Sequence, residues 1–184
     1  TAIFDGAGGR NGNALLTSDV VLGTITISGY TGTVNTNGYD LDISSALTQT
    51  TGTLTLSSSQ VTMNGNWSKT GGNLSAGFST TTFSGTGNQT LTLGATALYN
   101  IVMNKPSNGL ILGSAVNALG SLTLTAGTLD TSGSNWSVTV TSDVRINGGL
   151  FNLNASTMAI GGSWNNTSTT FDPGTSTVTF NSTT

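Results

Sequence analysis

Apolar residues fall in short alternating runs along the chain: "LDI" at 41–43, "LTL" at 54–56, "VTM" at 61–63, "LTL" at 91–93, "IVM" at 101–103, "LTL" at 122–124, "VTV" at 138–140, "FNL" at 151–153 and "VTF" at 178–180. Alternation with β-branched residues predicts short strands with one face buried. Clusters of Gly, Asn, Ser and Asp, including "NG", "GG" and "SG", punctuate the runs and predict turns. No stretch carries a 3.6-residue period, and glutamate, a good helix former, is absent. The pattern predicts an all-β chain.

The spacing of the runs is more specific. Gly32, Gly52 and Gly72 are 20 apart, as are Val34, Leu54 and Leu74, then Ile43, Met63 and Phe83, then Leu47 and Trp67. The same step of 20 links Val138, Met158 and Val178; Val140, Ile160 and Phe180; Thr131, Phe151 and Phe171; and Val144 and Trp164. A fixed period near 20 residues marks a solenoid. In a parallel β-helix each rung lies about 4.8 Å above the last, so equivalent side chains stack into interior columns. A β-sandwich would share the short strands but not the constant step. The expected fold is a parallel β-helix (β-solenoid) with about 20 residues per rung and roughly nine rungs, on the order of 40 Å long, forming one domain over 1–184. Residues 88–125 space their runs less evenly and read as continued rungs with altered corners.

A longer repeat overlies the short one. Trp67 and Trp164, Leu74 and Phe171, Phe83 and Phe180, Tyr39 and Trp136, and Leu54 and Phe151 all differ by 97, which predicts an internal duplication of about 19–87 onto 116–184. The opening "TAIFDGAG" resembles "TTFSGTG" at 81–87 and the closing "VTFNST". On this reading the chain begins and ends at one phase of its repeat, which suits head-to-tail association with itself.

Composition narrows the chemistry. The chain has four Lys and Arg and seven acids, all aspartate, for a net charge of −3. Charged residues make up 6%, against about 25% in an ordinary domain, so hydroxyls and amides must supply the polar surface. With no histidine and no cysteine, a His general base, a thiolate nucleophile and the common zinc sites cannot be built from this chain. Four scattered basic residues make no phosphate-binding stripe, so nucleic acid is not an expected partner. No apolar run approaches the length of about 18 residues that a membrane-spanning helix needs.

A few residues remain as candidates for binding. Asp40 and Asp42 in "YDLDI" alternate on one strand and could bind Ca²⁺ or act on a glycan, or form a solvated turn and outer face. Asp5 in "FDGAGG" has the flavour of a Ca²⁺-binding turn. No other cofactor is expected. Trp67, Trp136, Trp164 and Tyr39, with Tyr30 and Tyr99, could stack on sugars, although the paired positions of Trp67 and Trp164 suit corner or core plugs equally. Triplets such as "TIT" and "TLT" suggest threonine ladders of the ice-binding kind, but "IVM" and "FNL" interrupt them.

The segments "LYNIVMNK" (98–105), "GSLTLTAGTLDTSG" (120–133), "INGGLFNLN" (146–154) and "GGSWNNTSTTFDPGTSTVTFN" (161–181) resemble the repeats of large bacterial surface β-solenoid proteins, broadly similar to the shafts of filamentous-haemagglutinin-like and autotransporter adhesins. The resemblance implies an extracellular, cell-surface structural protein without catalytic activity: an adhesin shaft or a self-stacking filament subunit. The alternative expectation is a glycan- or Ca²⁺-binding surface module.

Overall fold

The computed structural model describes residues 1–167 and 171–181. The chain winds into an all-β solenoid of about nine turns. Each complete turn carries three short strands, which build three faces. The first face stacks residues 20–22, 41–43, 60–63, 80–83, 100–103, 122–124, 144–146 and 164–166. The second stacks 2–4, 24–27, 46–49, 66–69, 89–92, 109–112, 128–130, 150–152 and 171–172. The third runs from Ala14–Leu15 through Asn73–Ser75 and resumes from Ala97–Leu98 to Thr177–Phe180. Strands such as Leu41–Gln49 and Leu122–Asp130 bend from the first face onto the second without a break. Every pairing among the described residues is parallel.

The alternating runs place every second residue inside. Ile43, Met63, Phe83 and Met103 pair in register and each is fully buried. Val34, Leu54 and Leu74 pair on the third face, as do Val140, Ile160 and Phe180. The expected columns therefore exist, and the uneven middle section continues them. Column membership does not guarantee burial, however. Leu74 is half-buried and Phe180 is 58% exposed, because Phe180 lies in the last described turn, with no described turn stacked beyond it.

Two expectations from spacing need correction. Phe151 pairs with Leu129, not with Thr131. Nine steps separate Leu129 from Val138 but seven separate Phe151 from Met158, although Val138 and Met158 pair. The earlier corner holds two extra residues, so Thr131 moves past the column and its buried hydroxyl donates to the Leu153 carbonyl at 2.9 Å. Residues linked by the step of 97 lie on different faces. Trp67 lies on the second face and Trp164 on the first; Leu74 on the third and Phe171 on the second; Phe83 on the first and Phe180 on the third. The alike runs "TAIF" (1–4), "TTTF" (80–83) and "TVTF" (177–180) occupy the second, first and third faces, so they do not share one phase. Each face asks the same thing of a strand: period-2 alternation with a bulky inward residue.

Corners use a second device. Where the backbone carbonyl turns away, a short Asx side chain supplies the acceptor for the next turn. Asn13 Oδ1 accepts from Thr33 N–H at 3.0 Å, Asp19 from Asp40 at 2.9 Å, Asn135 from Ala155 at 3.0 Å and Asp143 from Ser163 at 2.8 Å. An Asx side chain holds its oxygen close enough to stand in for a peptide carbonyl; glutamate, one methylene longer, does not. At these corners the link from turn to turn is thus Asx side-chain oxygen to backbone N–H. Glycines stand where one turn passes closely over another: a Cβ at Gly65 would lie 1.2 Å from the Ser45 carbonyl oxygen.

Inside the first-face column, Thr81 sits between Val61 and Ile101, fully buried, and its hydroxyl has no partner among the described residues. Replacing Thr81→Val keeps the shape and removes an unpaired hydroxyl, so it is expected to raise unfolding stability by about 1 kcal/mol. Gly65→Ala is expected to lower it by about 3 kcal/mol or more, since backbone of the previous turn must move. Urea titrations of the two variants beside the parent chain measure both.

Candidate functional site

The four aromatic residues proposed for ligand stacking do not converge. Trp67 is fully buried between Leu47 and Leu91 on the second face and offers no ring face to a ligand, so it is a core residue. Tyr39 is 38% exposed on the corner between the third and first faces. Trp136 is 36% exposed on a different corner, between the second and third faces, four turns further on. Trp164 lies on the first face in the last turn. The acids are engaged in the ladder. Asp40 Oδ1 accepts from Gln60 N–H at 3.0 Å, and Asp42 Oδ1 from Asn64 Nδ2 at 3.2 Å. Asp5 Oδ1 caps its own turn, accepting from Ala7 N–H at 2.9 Å. Among the described residues no three acids gather as a metal site.

Two lysines that spacing did not single out lie inside the solenoid. Lys105 is fully buried, and its Nζ donates to Gly85 O at 2.6 Å, Gly87 O at 2.9 Å and Gln89 Oε1 at 2.5 Å. Gln89 in turn donates to Met63 O at 3.0 Å and Gly65 O at 2.6 Å. An ammonium has three protons, and here each meets a neutral oxygen. The group ties the long corner at 84–88 to the core, and the extra length of that corner breaks the even step. Lys69 is also buried and pairs in register with Gln49, whose amide donates to Asn73 O at 2.8 Å. Desolvation lowers the pKa of both lysines. The Lys105 ammonium thus holds backbone of the long corner in place.

Each end of the described solenoid carries a hollow. At the C-terminal end, Trp164, Phe171, Val178 and Phe180 line a hollow of about 190 Å³. Trp164 meets Phe171 edge-on at 4.8 Å and Phe180 at 6.5 Å. These are inward positions of their strands that no described turn covers. At the N-terminal end, Phe4, Asp5, Arg10, Gly12 and Tyr30 are among the residues lining a hollow of about 420 Å³. Tyr30 is buried across it, packed 5.5 Å from Phe4, with its hydroxyl donating to Gly12 O. Periodicity finds Trp164, Phe171, Val178 and Phe180 as column positions, but it carries no signal for which member of a column stands at an end.

In comparisons with known proteins the chain matches no family model, no curated protein and no solved structure.

The lysines make a pH-dependent prediction. Each has a folded-state pKa below the ordinary 10.5, so between that lowered value and about 10 the unfolded chain holds more protons than the folded one. Stability should therefore rise with pH through that window and be insensitive to these groups below it. Melting temperatures of the parent chain and of Lys105→Met across the alkaline range check this: the variant should lose the Lys105 share of the upward slope.

Proposed function

We propose that this chain is a non-catalytic structural β-solenoid of the extracellular or cell-surface kind, a shaft segment or filament subunit whose end turns stack on further turns. One observation carries the reading: Trp164, Phe171, Val178 and Phe180, all inward-facing, line an apolar hollow at the C-terminal end of the coil. A parallel strand with an open edge accepts another strand, and here the side chains beneath that edge are the ones a further turn would cover. A second copy supplies such a turn through Ala2–Phe4, Ala14–Leu15 and residues 20–22, the strand segments with open edges at the other end. Head-to-tail contacts of this type do not close and therefore grow. The low charge and the Thr, Ser and Asn surface support an extracellular placement, as does the resemblance to adhesin shafts.

The test is electron microscopy with sedimentation on the concentrated protein, comparing the parent with Val178→Lys/Phe180→Lys. Rods several times longer than about 40 Å, lost in the variant while its circular dichroism stays β-rich, are the expected result. A parent chain that remains a single short rod at high concentration counts against self-stacking.

A further inference from the structure

A different surface carries a second role. On the corner between the third and first faces, three large apolar side chains follow one another on successive turns. Phe78 is 73% exposed, Tyr99 is partly exposed and Leu119 is 50% exposed. Phe78 and Tyr99 meet edge to face, ring centres 5.1 Å apart. Gly120 N–H donates to Tyr99 O at 2.8 Å, which sets Leu119 directly above Tyr99. Gly120 also leaves room for the ring: a Cβ there would lie 3.2 Å from Tyr99 Cε1. The result is a ridge parallel to the solenoid axis, with one side chain every 4.8 Å or so.

Beside the ridge runs a row of neutral polar groups on the same three turns: Thr80, Asn100 and Ser121, all partly exposed. Asn100 Nδ2 donates to Thr80 Oγ1 at 3.4 Å, and Ser121 Oγ donates to Asn100 Oδ1 at 3.2 Å. The amide has a second proton, and each hydroxyl keeps further hydrogen-bonding capacity. Residues 76–82, 97–103 and 117–124, which form this corner, contain no charged side chain.

We propose that this ridge binds an extended, uncharged polysaccharide lying along the solenoid axis. Sugar rings present an apolar face and an equatorial rim of hydroxyls, matching the apolar ridge and the polar row beside it. The axial rise of the turns is close to the length of one pyranose residue, so successive sugars would meet successive side chains. The patch is too small for a protein partner of ordinary size: three side chains expose a few hundred Å² at most, against roughly 800 Å² per side in a stable protein interface. Absence of charge on these three turns disfavours acidic glycans no less than basic ones.

The experiment titrates the full chain with cello-, manno- and xylo-oligosaccharides, observed by NMR of the aromatic rings. At least one of the three should shift the Phe78 and Tyr99 signals while leaving Trp136 in place. Phe78→Ser/Tyr99→Ser should weaken that binding by about tenfold or more, with melting temperature and rod length unchanged. Silence with all three sugars overturns the proposal, as does binding that survives the double variant. A double variant that changes the sedimentation of a chain showing no sugar shifts would instead make the ridge a lateral contact between copies. Rod length is read separately, so end-to-end stacking can fail without the ridge failing, and the reverse.

Discussion

Backbone hydrogen bonding between successive turns, in register and always parallel, is what the other features serve. It fixes the spacing at about 4.8 Å and leaves no slack between layers. A side chain that points inward must lie on the side chain beneath it, so Ile43, Met63, Phe83 and Met103 form one continuous contact. A residue that crosses closely over a carbonyl must be glycine, as at Gly65 over Ser45. The unit of stability is then the pair of neighbouring turns, not the chain as a whole.

Continuity of that bonding is hardest at corners, and the composition reflects it. Asn and Asp restore the acceptors that turning carbonyls remove, as Asp19 does for Asp40 and Asp143 for Ser163. The aspartates thus belong to the backbone's hydrogen-bond accounting before they belong to any binding chemistry. Lys105 is an extreme case of the same principle. It reaches into a corner too long to satisfy itself and gathers Gly85 O, Gly87 O and the Gln89 side chain around one ammonium. Burial of a charge with neutral partners is costly, which is why its pKa falls.

A body made this way has two sorts of surface. Along its length, outward residues are mostly small hydroxyls and amides, so a run of exposed rings such as Phe78 and Tyr99 stands out against its background. In the last described turn, inward residues lie uncovered without any change of sequence type. Phe83 is fully buried and Phe180 is 58% exposed, though both close a Thr-rich strand of the same pattern. The stacking reading follows from the second surface and the glycan reading from the first.

The alternation and the step of 20 were enough to read the strands, the columns and the coil, because side-chain direction in a strand has period two and stacking transmits one turn's pattern to the next. They were not enough to say on which of three faces a strand lies. "TAIF", "TTTF" and "TVTF" are near-identical requests answered on three different faces, since each face imposes the same local demand and corner lengths alone assign the place. Trp67 and Trp164 show the consequence: a shared offset, but one ring sealed in the core and the other lining an open end. Exposure depends on what lies above and below, which is set by contacts some twenty residues away in sequence. Phe78, carried out on a corner beside Gly77 at φ 57°, acquires its place on the ridge only when Tyr99 and Leu119 arrive on the turns that follow.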